Sequence, residues 1–170
     1  MWVFDATPLI YLAKVQRLGL VAHLEASCVI PERVYDEVVA TGLEEGYPDA
    51  RRIERQVDAD CFEVVAAETT PLYSRLQGNN NLSDADVAVL ACADAHDGIA
   101  VMDETYGRDV AAAEGLTTRG TAFLVLKWTK QGAIGGDDAR TIIDAMIDEG
   151  WYCAPDIYTK IVQKLESISE

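Results

Sequence analysis

A chain of 170 residues, 49% of them hydrophobic, can bury about 70% of the surface its unfolded form exposes, which excludes disorder and favours one domain. Its net charge of −15, from 14 basic and 29 acidic residues, excludes strong sequence-independent attraction to nucleic acid. The same excess suits a halophilic cytoplasm, because the Debye length is only about 3 Å at 1 M salt and surface carboxylates there barely repel at range. Cys28, Cys61, Cys92 and Cys153 lack C-x-x-C spacing, and His23 and His96 form no ligand pattern, so zinc and redox chemistry find no support. Cys28 and Cys92 read as buried thiols in a reducing compartment. No leader precedes the first strand, and no apolar run reaches the roughly 18 residues of a membrane span, so a cytoplasmic protein is expected.

In chain order, Trp2 to Phe4 reads as a buried strand, followed by a helix with Thr7 as N-cap and Pro8 at its first position. Cys28 to Ile30 is a second strand, and Pro31 opens a second helix. A polar loop is expected from about Ala40 to Pro48, then a helix from Asp49 to Val57 and a strand from Phe62 to Ala66. Gln77-Gly78-Asn79-Asn80-Asn81 is a loop. A helix from Asp84 to about Ala95 leads to the strand Ile99 to Met102. Next come a helix from about Arg108 to Glu114, a short strand at Leu116 to Thr118 and a helix from Phe123 to Lys130. Two closing helices cover about Asp138 to Glu149 and Asp156 to Ser167. Strands alternating with helices predict an α/β fold with a parallel sheet covered on both faces.

Four isolated acids carry the chemistry. Asp5 and Asp103 each follow an apolar strand, where open α/β sheets place their sites. Glu37 falls on the inward stripe marked by Val34 and Val38, whereas Asp36 points away. The alternative for Glu37 is a helix-edge position facing solvent. Asp86 lies in Leu82-Ser83-Asp84-Ala85-Asp86, a capping box in form, and capping alone would account for it. Asp5 taken singly could be a helix-initiating acid, and Asp103 with Glu104 an ordinary turn. Topology favours a joint reading, since helices starting near 31 and 84 begin on the sheet edge where both strands end. Carboxylates gathered there repel by roughly 4 kcal/mol per pair at 4 Å, so a cation must neutralise them.

Four segments, in this order, resemble the successive motifs of PIN domains: Phe4-Asp5-Ala6-Thr7-Pro8-Leu9-Ile10, Pro31-Glu32-Arg33-Val34-Tyr35-Asp36-Glu37-Val38, Leu82-Ser83-Asp84-Ala85-Asp86 and Val101-Met102-Asp103-Glu104. The likeness runs through Arg108, Gly115-Leu116 and Gly120-Thr121 into Lys127, and is similar to small prokaryotic VapC-type proteins, here of haloarchaeal character. It implies a three-layer α/β/α sandwich around four or five parallel strands, with a PIN-like domain over 1–135 and a helical extension over 136–170. It also implies a magnesium- or manganese-dependent endoribonuclease whose ligands are Asp5, Glu37, Asp86 and Asp103. Thr7, Asp84 and Glu104 would be auxiliary. The asparagine-rich loop before Leu82 and the added closing helices depart from the pattern.

Oxygen donors without histidine or thiolate favour magnesium or manganese over zinc. One ion would activate a water, and a second would stabilise the departing oxygen. Arg108, Arg119, Lys127 and Lys130 are the basic candidates for holding RNA, although Lys127 and Lys130 equally form a solvated helix face. Thr7 replaces the second acid a haloacid-dehalogenase-type enzyme requires, and Arg119 stands where a receiver domain needs lysine. A VapC-like toxin implies an antitoxin partner and a homodimer, anchored by Trp128, Trp151 or Tyr158 unless these pack in the core. Ile157, Ile161, Val162, Leu165 and Ile168 give the last helix one apolar face for the domain or a second subunit. A non-catalytic PIN-fold binding module and a housekeeping RNA-processing nuclease are the alternatives.

Overall fold

The computed structural model describes residues 1–169. Five parallel strands form one sheet in the order β3-β2-β1-β4-β5: β1 (Trp2–Phe4), β2 (Cys28–Pro31), β3 (Glu63–Val65), β4 (Ile99–Val101) and β5 (Thr117–Arg119). The inner strands are buried on both faces, which is why β1 and β4 read as unbroken apolar runs. The chain winds outward from β1 to β2 and β3, then crosses back past β1 to β4 and on to β5. The connections after β1 and β4 therefore leave in opposite directions. That is the switch point at which a parallel sheet opens a crevice beyond its carboxyl ends.

Among the described residues ten α-helices cover the sheet: α1 (Ala6–Lys14), α2 (Glu32–Tyr35), α3 (Thr41–Glu44), α4 (Pro48–Asp58), α5 (Pro71–Leu76), α6 (Asp84–His96), α7 (Thr105–Ala113), α8 (Thr121–Lys130), α9 (Gly136–Asp148) and α10 (Pro155–Ser169). The result is a three-layer α/β/α sandwich. Helix α6 crosses β1, β2 and β4, and buries every residue from Val87 to Ala93. Helices α1 and α4 pack together, α9 joins α1, and α8, α9 and α10 pack on one another.

Several boundaries differ from the sequence expectation. Asp5, not Thr7, caps α1: its backbone is extended and its Oδ1 accepts the Ala6 N–H at 2.8 Å, because aspartate is the stronger cap. Pro31 ends β2, paired with Val65, and α2 starts at Glu32. The expected loop from Ala40 is largely helical. A π-helical turn over Asp36–Ala40, closed by the Thr41 N–H on the Asp36 carbonyl, carries α2 into α3. Gly42 permits this, since a β-carbon there would stand 2.7 Å from that of Ala50 on α4. Helix α5 was not expected, although Thr70 caps it through Oγ1 with Pro71 at its first position. Helix α7 begins at Thr105, three residues before Arg108, because Glu104 caps it.

The aromatic anchors proposed for a partner are committed elsewhere. Trp128 is fully buried and Trp151 nearly so, while the Tyr158 hydroxyl donates to Asp144 Oδ1 at 2.7 Å. Helix α10 buries Ile161 and Leu165 against the domain and leaves Ile157 exposed. Cys28 and Cys92 are buried free thiols, pushed up to about 11 by burial. Among the described residues no helix is long and apolar enough to cross a membrane.

Candidate active site

Asp5 occupies the switch point itself. Its N–H donates to the Val101 carbonyl at the end of β4 (3.0 Å), which fixes the first turn after β1 against its neighbouring strand. The side chain is buried, and Oδ1 is used on the Ala6 N–H. Burial and the charges of Asp86, Glu37 and Asp103 raise its pKa from 3.8 to about 7. The backbone hydrogen bond from Ala6 opposes this but does not win. Three acids from three distant segments thus act on one carboxyl group.

Asp103, half-buried, is held from three directions. Its Oδ1 accepts the Thr121 N–H (2.7 Å), the first amide of α8, where the helix dipole favours an anion. Its Oδ2 accepts the Thr121 hydroxyl (2.7 Å) and the Trp151 indole N–H (3.2 Å). Gly120 keeps room for these groups: a β-carbon there would meet Asp103 Oδ1 at 2.9 Å and Arg108 Nη1 at 3.0 Å, so one of the two side chains would have to shift. Asp86 completes the capping box of α6, accepting the Ser83 N–H through Oδ2 while Ser83 Oγ accepts the Asp86 N–H, both at 3.0 Å.

Glu37 is exposed rather than buried on an inward stripe. It sits in the π-helical turn, where bonds from residue to fifth residue widen the coil, so a 3.6-residue period no longer assigns its face. Its charge still reaches Asp5. Arg33 is directed to Asp84 (3.8 Å) and not to Glu37. Asp84 itself is largely exposed. Glu104 spends both oxygens on the α7 cap, accepting from Tyr106 N (3.1 Å) and Gly107 N (2.8 Å). Thr7 lines a cleft of about 370 Å³ together with Asp103, Glu104, Thr105, Trp151 and Tyr152.

Among the basic candidates, Arg108 reaches the Gly120 turn beside Asp103. Arg119 lies in β5, donates to the Thr118 carbonyl (2.8 Å) and stacks over Phe123 at 4.9 Å. Helix α8 starts at Asp103 and rises away from it, so Lys127 and Lys130 lie roughly 9 and 13 Å further along its axis. Sequence reasoning missed Thr121 and Trp151 as the groups that hold Asp103. The Gly-Thr pair opening α8 was a usable signal; nothing local linked Trp151 to an acid 48 residues earlier.

Among the described residues no three acidic, histidine or cysteine side chains close into a ready-made metal cage. Asp86, Glu37 and Asp103 act on Asp5 through their charge, while Asp86 and Asp103 accept hydrogen bonds from nearby N–H groups. The donor chemistry nevertheless suits a hard divalent cation: the groups are all carboxylates, and the raised pKa of Asp5 marks a place where positive charge would be stabilising.

A family model described as a PIN domain (DUF3368) matches residues 1–167. The chain belongs to the PIN-domain family. PIN domains are in general metal-dependent nucleases, and the match extends through α9 and most of α10. No curated protein matches the chain. In this PIN domain Asp5 directly follows β1, Glu37 lies in the π-turn, Asp86 in α6, and Asp103 two residues beyond β4.

Proposed function

We propose that this PIN domain is an endoribonuclease that hydrolyses RNA phosphodiester bonds with magnesium or manganese, and that it serves as a VapC-like toxin. The observation that carries the reading is the convergence of Asp86, Glu37 and Asp103 on a buried Asp5 at the switch point of the sheet. A divalent ion bound there supplies activation of water and neutralisation of phosphate charge. Asp5, Glu37, Asp86 and Asp103 would hold it. The chain's own residues supply the rest. Thr121 and Trp151 fix both Asp103 oxygens, the capping box fixes Asp86, and Thr7 borders the cleft. Arg108, whose guanidinium meets the same Gly120 turn as Asp103, would meet a phosphate, with Arg119 on β5 beside β4. Asp84 and Glu104 support neighbouring elements more than the ion.

Residues 136–169 extend the nuclease domain rather than forming a second one, since α9 packs on α1 and α10 on α8. The acidic surface suits a cytoplasm rich in salt. A toxin role adds an antitoxin that covers the cleft, and pairing of two copies.

The test is cleavage of structured RNA with magnesium or manganese, at low and at molar salt. Chelation should abolish cleavage, and Asp5→Asn and Asp103→Asn should reduce it to background while circular dichroism stays native. Equal cleavage by those variants would place the activity elsewhere. A wild type inert under every metal and salt condition would leave a binding module.

A further inference from the structure

The connector between α9 and α10 contributes two consecutive aromatic residues to the cleft, and they behave oppositely. Trp151 is 7% exposed and donates its indole N–H to Asp103 Oδ2, whereas Tyr152 is 85% exposed. A lone exposed aromatic is ordinary on a protein surface. Tyr152 is distinguished by place: it borders the same 370 Å³ cleft as Thr7 and Asp103, and its neighbour is pinned to the acid. With the indole buried against Asp103, the neighbouring phenol ring stands in solvent at the cleft.

We propose that Tyr152 is a stacking platform for one nucleobase of single-stranded RNA, next to the phosphate presented to the acids. The inference rests on the nuclease reading above. The molecule carries −15 net charge, so long-range attraction to the RNA backbone is weak. Stacking fills that gap because it does not draw on the phosphate charge, and it tolerates any sequence since every base offers a π-face. The phenol is also too exposed to contribute to the core, so its removal leaves the fold intact.

The experiment compares wild type, Tyr152→Ala and Tyr152→Phe on a short single-stranded oligoadenylate in manganese, reading cleavage kinetics and fluorescence anisotropy. Tyr152→Ala should raise KM and weaken binding about tenfold, with kcat and melting temperature little changed, while Tyr152→Phe behaves as wild type. An oligonucleotide with an abasic site at the stacked position should bind wild type and Tyr152→Ala alike. If both proteins cleave and bind oligoadenylate equally, the platform is refuted and the nuclease stands. If the wild type neither cleaves nor binds any RNA, the nuclease reading falls and takes the platform with it.

Discussion

Asp5 combines two roles that pull in opposite directions. As an N-cap its ionised form is favoured by the Ala6 amide and the helix dipole, yet burial and three neighbouring acids raise its pKa to about 7. Between about pH 4 and pH 7 the folded chain keeps a proton on Asp5 that the unfolded chain has already released. Stability is therefore lost as pH rises across that window, by on the order of 4 kcal/mol at most. In chelator, thermal melts from pH 5 to pH 8 should fall more steeply for wild type than for Asp5→Asn. Manganese at pH 8 should restore the wild type selectively. Parallel slopes for the two proteins would show that Asp5 does not titrate in this range.

At the level of elements, acids that could serve a site also terminate helices. Asp86 closes the capping box of α6, Glu104 caps α7, and Asp103 receives the first amide of α8. Each anchoring removes freedom from the carboxylate, and for Asp86 it is separable from the carboxylate itself. Ser83→Ala deletes the hydroxyl side of the box while leaving Asp86 in place. It should cost about 1 kcal/mol, or about 2–4 °C in melting temperature. An unshifted melt would mean that the box is not populated in solution. The strand runs at Trp2 and Ile99 and the Ser83 box were legible because each lies in one short window, and the four acids could be picked out there as candidates. The Thr70-Pro71 start of α5 was equally local and went unread. The π-turn around Glu37 was not legible, because Val34 and Val38 imply an ordinary period until Gly42 is seen packed on Ala50. Trp151 was likewise invisible, since its partner is set by how α8, α9 and α10 pack.

For the molecule as a whole, charge and topology are in tension. Twenty-nine acidic residues surround a sheet whose working edge is itself acidic, and the described ion pairs, such as Arg17 with Asp138 and Arg75 with Glu114, neutralise only part of this. Potassium chloride raised to molar concentration should therefore increase the melting temperature, by about 2–4 °C for each kcal/mol of repulsion relieved. A melt independent of salt would show that self-repulsion does not limit stability.

The indole of Trp151 is the one tryptophan ring bonded to an acid of the cluster, while Trp2 and Trp128 lie in the core. The protein consequently carries its own optical gauge. Whatever enters the cleft and draws on Asp103 perturbs that ring's emission, and occupancy becomes readable in native protein with no dye attached.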